Sequence, residues 1–223
     1  MKKTKVSLPS RRKKALRRIL IMAAALFVVN GLQHIGLLLP RQAVCKLEQR
    51  AGTGHTAVVA RDWARPLRKT QLVYLSENEK ALMLSDTYFT LYGWMPGFSD
   101  EVDCTAEAPL HAGWRTMGRD GGATLWYFYG RVDDPSVARV DVLLRKQAYD
   151  EQSRSYPGDV VAEIGTEDFF EKGGYRYFLL RLDDPGGDIW ERESPWVETE
   201  ALRADGTTAA LEHLSMYSSA MYY

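Results

Sequence analysis

Residues 137–144 read VARVDVLL, and the pattern of this stretch decides the fold class. Its apolar side chains recur at every second position, and the charged Arg139 and Asp141 stand between them. Such alternation is typical of a half-buried antiparallel strand. Residues 123–132, ATLWYFYGRV, are aromatic and β-branched and also favour a strand. Asp133-Asp134-Pro135 between the two segments predicts a turn.

Similar segments continue along the chain in both directions. Further strands are predicted at residues 56–60, 70–75, 81–84, 87–94, 160–164, 175–182, 196–203 and 207–214. Asp205-Gly206 between the last two is typical of a hairpin turn. Residues 95–122 are rich in glycine and proline and are predicted to be the least regular part. Helical periodicity is scarce and is best at residues 167–172.

These segments predict a mainly β domain, built as an antiparallel β-sandwich or a small barrel. The general pattern resembles immunoglobulin-like outer domains, although the Cys–Trp–Cys frame of true immunoglobulin domains is missing.

The N-terminal region has a different composition. Residues 19–39 read ILIMAAALFVVNGLQHIGLLL, which is 21 residues without a formal charge. A helix of this length is about 31 Å long, enough to cross a hydrocarbon core of about 30 Å. Residues 1–18 contain nine basic and no acidic side chains, which predicts a cytoplasmic N-terminus. The sequence therefore predicts a single-pass signal-anchor in the cell membrane.

A cleaved signal peptide is the alternative, since residues 19–29 have a suitable apolar core. We expect no cleavage, because the apolar character resumes at residues 35–39. The predicted organisation is a basic cytoplasmic tail (1–18), a transmembrane helix (19–39), a polar stalk (40–55) and an extracytoplasmic β-rich domain (56–223). The lipid bilayer is the expected partner. The basic tail is interpreted as a topology signal, so no nucleic-acid partner is predicted.

Three polar residues interrupt the apolar segment. Asn30, Gln33 and His34 stand at positions i, i+3 and i+4, so they share one helix face. Polar groups in a span usually face protein or water, which predicts a membrane-protein partner or self-association through this face. The alternative is that these side chains are hydrated near the outer interface.

The chain has two cysteines, Cys45 and Cys104, both predicted to lie outside the membrane, where disulfides persist. They can form one intramolecular disulfide, and the alternative is two free thiols. The histidines are scattered singly, and no Cys/His spacing suits a zinc site, so neither a metal nor a cofactor is predicted.

Aromatic residues offer a candidate ligand surface. Trp94, Phe98 and Trp114 lie in or beside the irregular region, although core packing would explain them equally. The sequence contains no Gly-x-Ser-x-Gly, His-Glu-x-x-His or P-loop motif. We therefore expect a membrane-anchored, non-enzymatic binding or scaffold domain for an envelope component. The alternatives are a small envelope hydrolase and an accessory subunit of a membrane complex.

Overall fold

A computed structural model describes residues 11–33, 37–64, 71–91, 93–118, 124–145, 158–183 and 196–214. These residues form mainly strands, and every strand pair is antiparallel. The helices are α1 (Arg11–Gln33) and α2 (Pro40–Ala51). The strands are β1 (Ala57–Ala64), β2 (Gln71–Glu77), β3 (Ala81–Thr90), β4 (Gly93–Asp103), β5 (Leu110–Gly118), β6 (Thr124–Val132), β7 (Val137–Arg145), β8 (Gly158–Ile164), β9 (Phe170–Lys172), β10 (Tyr175–Asp183), β11 (Trp196–Arg203) and β12 (Thr208–Leu214).

The described strands form three sheets of four strands each. The first sheet is a simple meander in the order β1-β2-β3-β4. The central sheet has the order β5-β6-β10-β9, and the third sheet has the order β12-β11-β7-β8. The chain therefore completes the first sheet early and then moves back and forth between the other two.

The central sheet is covered on both faces, as alternate residues of β6 demonstrate. Trp126 and Phe128 pack into an apolar cluster shared with the third sheet. Tyr127 and Tyr129 point the other way, into a cluster shared with the first sheet. A strand buried on both faces needs apolar or aromatic side chains at almost every position, which explains the run in residues 124–132. The layered antiparallel sheets agree with the predicted β-sandwich class, with three layers instead of two.

Three hydrogen bonds from tyrosines fix the central sheet on the first sheet. Each phenol lies on the central sheet and donates to a carboxylate on a different strand of the first sheet. The pairs are Tyr127 with Asp62 (2.8 Å), Tyr129 with Asp100 (2.9 Å), and Tyr177 with Glu77. Burial, together with the neighbouring carboxylates, raises the pKa of all three phenols above the ordinary value. The phenols therefore remain donors over the physiological pH range.

Residues 40–51 form helix α2, where the sequence predicted a polar stalk. Pro40 occupies the first turn, and Gly52 ends the helix with a φ of 74°. The side chain of Val44 packs against Leu72, Tyr74 and Met83 on the outer face of the first sheet. The buried positions recur with helical spacing within an otherwise polar segment, which is why composition alone indicated a stalk.

Helix α1 covers only part of the predicted span at residues 19–39. Within the part of the chain that the structure describes, no helix is sufficiently long and apolar to cross a membrane. Residues 34–36 lie outside the described residues, and Leu37 forms an antiparallel bridge with Trp94 before α2 begins. The described residues therefore do not support one continuous transmembrane helix over residues 19–39.

The apolar side chains of α1 are between 48% and 68% exposed. They occupy every side of the helix rather than one stripe, and they are Leu16, Ile19, Leu20, Ile21, Met22, Leu26, Phe27, Val28 and Val29.

Candidate functional site

An exposed apolar patch lies where the chain enters the β-domain. Its centre is formed by three aromatic side chains, the exposed Trp63 and Phe89 and the half-buried Trp94, and the exposed Leu38, Leu39 and Leu91 are close to them along the paired strands. The Trp94 ring lies 5.4 Å from the Phe89 ring and 6.4 Å from the Trp63 ring, measured between centroids. Leu91, in the turn between β3 and β4, is 93% exposed. Clustered aromatic and leucine side chains at a surface mark an interaction site in soluble and membrane proteins alike.

Two backbone hydrogen bonds connect this apolar patch to the segment that follows α1. The amide of Leu37 donates to the Trp94 carbonyl at 2.9 Å, and the amide of Trp94 donates to the Leu37 carbonyl at 2.8 Å. Gly93 permits this approach, because a Cβ at its position would lie 2.7 Å from the Leu37 oxygen. The φ of Gly93 is 121°, which also favours glycine. Leu37, which precedes α2, is therefore paired to the first sheet beside the aromatic rings of the patch.

The three aromatics predicted as a ligand surface lie in different layers. Trp94 lies on the outer face of the first sheet and belongs to the apolar patch. Phe98 lies between the first and central sheets, where the Arg115 guanidinium stacks 4.9 Å from its ring centroid. Trp114 is buried between the central and third sheets, and its ring lies 5.0 Å from Trp126. The structure does not bring the three together, and only Trp94 contributes to a surface.

A bulge in β4 explains why Trp94 and Phe98 face opposite sides of one sheet. The register between β3 and β4 shifts so that Asp86 stands opposite both Gly97 and Phe98. The buried Asp86 carboxylate accepts a hydrogen bond from the Phe98 amide at 2.6 Å and another from the Gln71 side chain. Burial raises the pKa of Asp86, although these donors oppose that effect. Gly97 is required here, because a Cβ would collide with the Asp86 carboxylate.

Both cysteines are free, so of the two alternatives the structure agrees with two free thiols and not with a disulfide. Cys104 packs in the cluster between the first and central sheets, and burial raises the pKa of its thiol to about 11. Cys45 lies on α2, which covers the opposite face of the first sheet. A sheet separates the two thiols, whereas a disulfide requires Cα atoms within about 7 Å.

Cys45 instead lies in a cluster with Glu48 and His55. One ligand atom of each residue lies within 4.8 Å of the others. Cys45 and Glu48 are three positions apart on α2, so they share a helix face, and His55 follows on the loop before β1. Burial, and secondly the charge of Glu48, raise the pKa of the Cys45 thiol.

The Glu48 carboxylate is held in place from one side. Its Oε1 accepts hydrogen bonds from the Thr56 amide at 3.1 Å, from the Thr56 hydroxyl, and from the Arg41 guanidinium at 2.7 Å. Its Oε2 faces His55 Nδ1 at 3.5 Å. Burial opposes ionisation of this carboxylate, yet the donors outweigh burial and lower the pKa of Glu48. Glu48 is therefore a fixed carboxylate at the base of the cluster. Sequence reasoning missed it, although the Cys-x-x-Glu spacing on a helix was readable.

The helix face formed by Asn30, Gln33 and His34 stays a prediction. Asn30 and Gln33 lie in the final turns of α1, but their side chains and the whole of His34 lie outside the described residues.

A cleft of about 520 Å³ is open to solvent and lies beside the turns that precede β7 and β12. The guanidinium groups of Arg176 and Arg203 line it, and both already donate to backbone carbonyls of the protein.

Comparison of the chain with protein-family models, with curated proteins and with solved structures finds no match. By its fold the chain belongs to the class of mainly β proteins with stacked antiparallel sheets.

Proposed function

We propose that this chain is a membrane-anchored, non-enzymatic scaffold domain, held at the bilayer by α1 and seated on its surface by the apolar patch. The observation that carries the proposal is the apolar part of α1, residues 19–29, whose large apolar side chains are exposed on all sides of the helix. A water-exposed helix of a globular protein is apolar on one stripe, whereas a helix that is apolar all round needs an apolar surrounding. Lipid supplies that surrounding, and the basic residues that precede the apolar segment suit a cytoplasmic, anionic membrane face.

The apolar patch supports the same orientation. Only three residues separate the end of α1 at Gln33 from Leu37, so Leu37, which pairs with Trp94 of the patch, lies within about 14 Å of the helix end. Tryptophan and leucine at this position suit the interface between acyl chains and headgroups, where tryptophan is enriched. The remaining surface of the three sheets then faces away from the membrane and is available to an envelope component.

Anchoring can be tested with the double variant Ile21→Asp/Phe27→Asp in the full chain. Phe27 lies near the middle of the apolar segment at residues 19–39, where a buried charge costs about 2.5–3.5 kcal/mol, and Ile21 lies nearer its end, where the cost is smaller. The two charges together should make the variant leave the membrane fraction on alkaline washing. Leu211→Asp is the matched control, since Leu211 on β12 is 57% exposed and Ile21 and Phe27 are each 58% exposed. An unmodified chain that washes off, or a double variant that stays embedded, would contradict the proposal.

The orientation of the β-domain is measured by proteolysis of spheroplasts. The mass of the purified protein shows whether the N-terminal segment is retained. We expect the β-domain to be digested from outside and the N-terminal segment to be retained. Protection of the β-domain would exclude an extracytoplasmic location, and loss of residues 1–30 would identify a cleaved signal peptide instead.

Contact of the apolar patch with lipid is measured by tryptophan fluorescence in vesicles that contain brominated acyl chains. We expect bromine to quench the unmodified protein, and Trp63→Phe/Trp94→Phe to remove the quenchable component. Trp114→Phe is the control, because Trp114 is buried in the core. If bromine quenches the double variant as strongly as the unmodified protein, the patch does not contact the bilayer.

A partner within the membrane is a further proposal for the Asn30, Gln33 and His34 face. Replacing all three residues with leucine should abolish self-association and co-purification of membrane proteins in mild detergent. A triple variant that retains every partner would remove this proposal and leave the anchor as a lipid-facing helix.

A further inference from the structure

We propose that Cys45, Glu48 and His55 form a zinc site at the junction between α2 and β1. A thiolate, an imidazole and a carboxylate are the ligand types that zinc accepts together, whereas calcium and magnesium prefer oxygen ligands alone. The site leaves a fourth position for water. It is independent of the membrane anchor and of the apolar patch.

The separations between the ligand atoms fit this metal. A tetrahedral zinc ion with bonds of about 2.0–2.3 Å holds neighbouring ligand atoms about 3.3–3.8 Å apart. Glu48 Oε2 and His55 Nδ1 already lie 3.5 Å apart. All three ligand atoms lie within 4.8 Å of one another, so closure requires movements of about 1.5 Å or less. The His55 side chain is 79% exposed and is free to make that movement.

The surroundings of Glu48 resemble the outer shell that metal ligands need. Thr56 and Arg41 occupy Oε1 and leave Oε2 directed at His55. Hydrogen bonds of this kind orient a ligating carboxylate and keep it ionised. The guanidinium of Arg41 repels a cation, but thiolate and carboxylate together supply two negative charges and neutralise the zinc ion. The proton of the Cys45 thiol must leave when zinc binds, so affinity should increase with pH.

The metal would add a link between two elements that already meet through hydrogen bonds, chiefly those of Glu48 and Arg41 with Thr56. Cys45 and Glu48 belong to a helix on the outer face of the first sheet, and His55 belongs to the loop that leads into β1. Zinc would therefore fix the loop at residues 52–56 against α2.

The test uses the full chain in detergent micelles, stripped with a chelator and titrated with Zn²⁺ and with Co²⁺. Cobalt bound to a thiolate gives a sulfur-to-metal charge-transfer band, which reports the thiolate ligand directly. We expect one metal ion per chain, a charge-transfer band, and slower alkylation of Cys45 in the presence of zinc. Cys45→Ala should remove the band, and His55→Ala should weaken zinc binding by about tenfold or more.

Cys104→Ala is the matched control, since it removes the other thiol and should leave both band and affinity unchanged. Circular dichroism confirms that each variant retains its β structure, and the exposed position of His55 makes His55→Ala the variant least able to disturb folding. The proposal is overturned if the unmodified chain binds no zinc, if the band survives Cys45→Ala, or if His55→Ala binds zinc as tightly as the unmodified chain.

Discussion

The carboxylate of Glu212 should make folding stability fall as pH rises towards 7. Glu212 lies on the core-facing side of β12, in the same row as the buried Leu214, and its Oε2 accepts a hydrogen bond from the Ala112 amide at 3.2 Å. Burial raises the pKa of Glu212 to about 7 from an ordinary value of 4.5, and the Ala112 donor only partly opposes this. The folded protein therefore binds the proton more tightly than the unfolded chain does.

The direction and size of this change in folding stability follow from the difference in the pKa of Glu212 between the folded and unfolded states. Below pH 4.5 the carboxyl is protonated in both states, and its contribution to stability is fully present. Between pH 4.5 and about 7 the unfolded chain ionises first, so stability is lost over this range. Each tenfold difference in proton affinity is worth about 1.4 kcal/mol, which gives an upper limit of about 3 kcal/mol. Glu212 is only partly buried, and solvent screening reduces this to about 2 kcal/mol.

Glu212→Gln removes the charge and keeps an oxygen that can accept the Ala112 hydrogen bond. At pH 8 the variant should be more stable than the unmodified chain by about 2 kcal/mol, and at pH 4 the two should be equal. Urea unfolding of the full chain in detergent, followed by circular dichroism at both pH values, measures the difference. Glu171→Gln is the control, since Glu171 on β9 is exposed. A variant that gains nothing at pH 8, or gains equally at pH 4, would refute the reasoning.

Three further substitutions test the core. Val140 is fully buried, so Val140→Asp should unfold the domain by burying an unpaired charge, whereas Val160→Asp, at a position 47% exposed, should remain folded by circular dichroism. Gly97→Ala should cost about 1–3 kcal/mol in thermal unfolding, because the added methyl group overlaps the Asp86 carboxylate at the bulge. Tyr127→Phe should cost about 1 kcal/mol in urea unfolding, because it removes one hydrogen bond between the first and central sheets.

Local patterns were sufficient for most strands. The alternation at residues 137–144 corresponds to β7, the aromatic run to β6, and the Asp205-Gly206 turn to the hairpin between β11 and β12. The region predicted to be irregular, residues 95–122, instead contains most of β4 and the whole of β5. The glycines and acidic residues of this region occur there for reasons of tertiary structure and do not interrupt the strands.

Gly113 shows one of these reasons, since a Cβ there would lie 2.5 Å from the Tyr129 ring. Asp100 shows another, since its carboxylate accepts the Tyr129 hydroxyl of the neighbouring sheet. Both features depend on a residue that is far away in sequence, so no local pattern could reveal them. The apolar patch follows the same rule, because Trp63, Phe89 and Trp94 come from three strands and meet only through the pairing of the first sheet.

The order in which the chain visits its sheets has a consequence for synthesis and assembly. The first sheet and α2 need only residues up to Asp103, and their contacts are local enough to form while the rest of the chain is still being made. The central and third sheets are interleaved, because β10 returns to pair with β6 and β11 returns to pair with β7. The central sheet is complete only when β10 has been made, and the third sheet only when β12 has been made. The C-terminal half is thus expected to fold in one cooperative step, and a truncation between β8 and β9 would remove two strands from each of two layers.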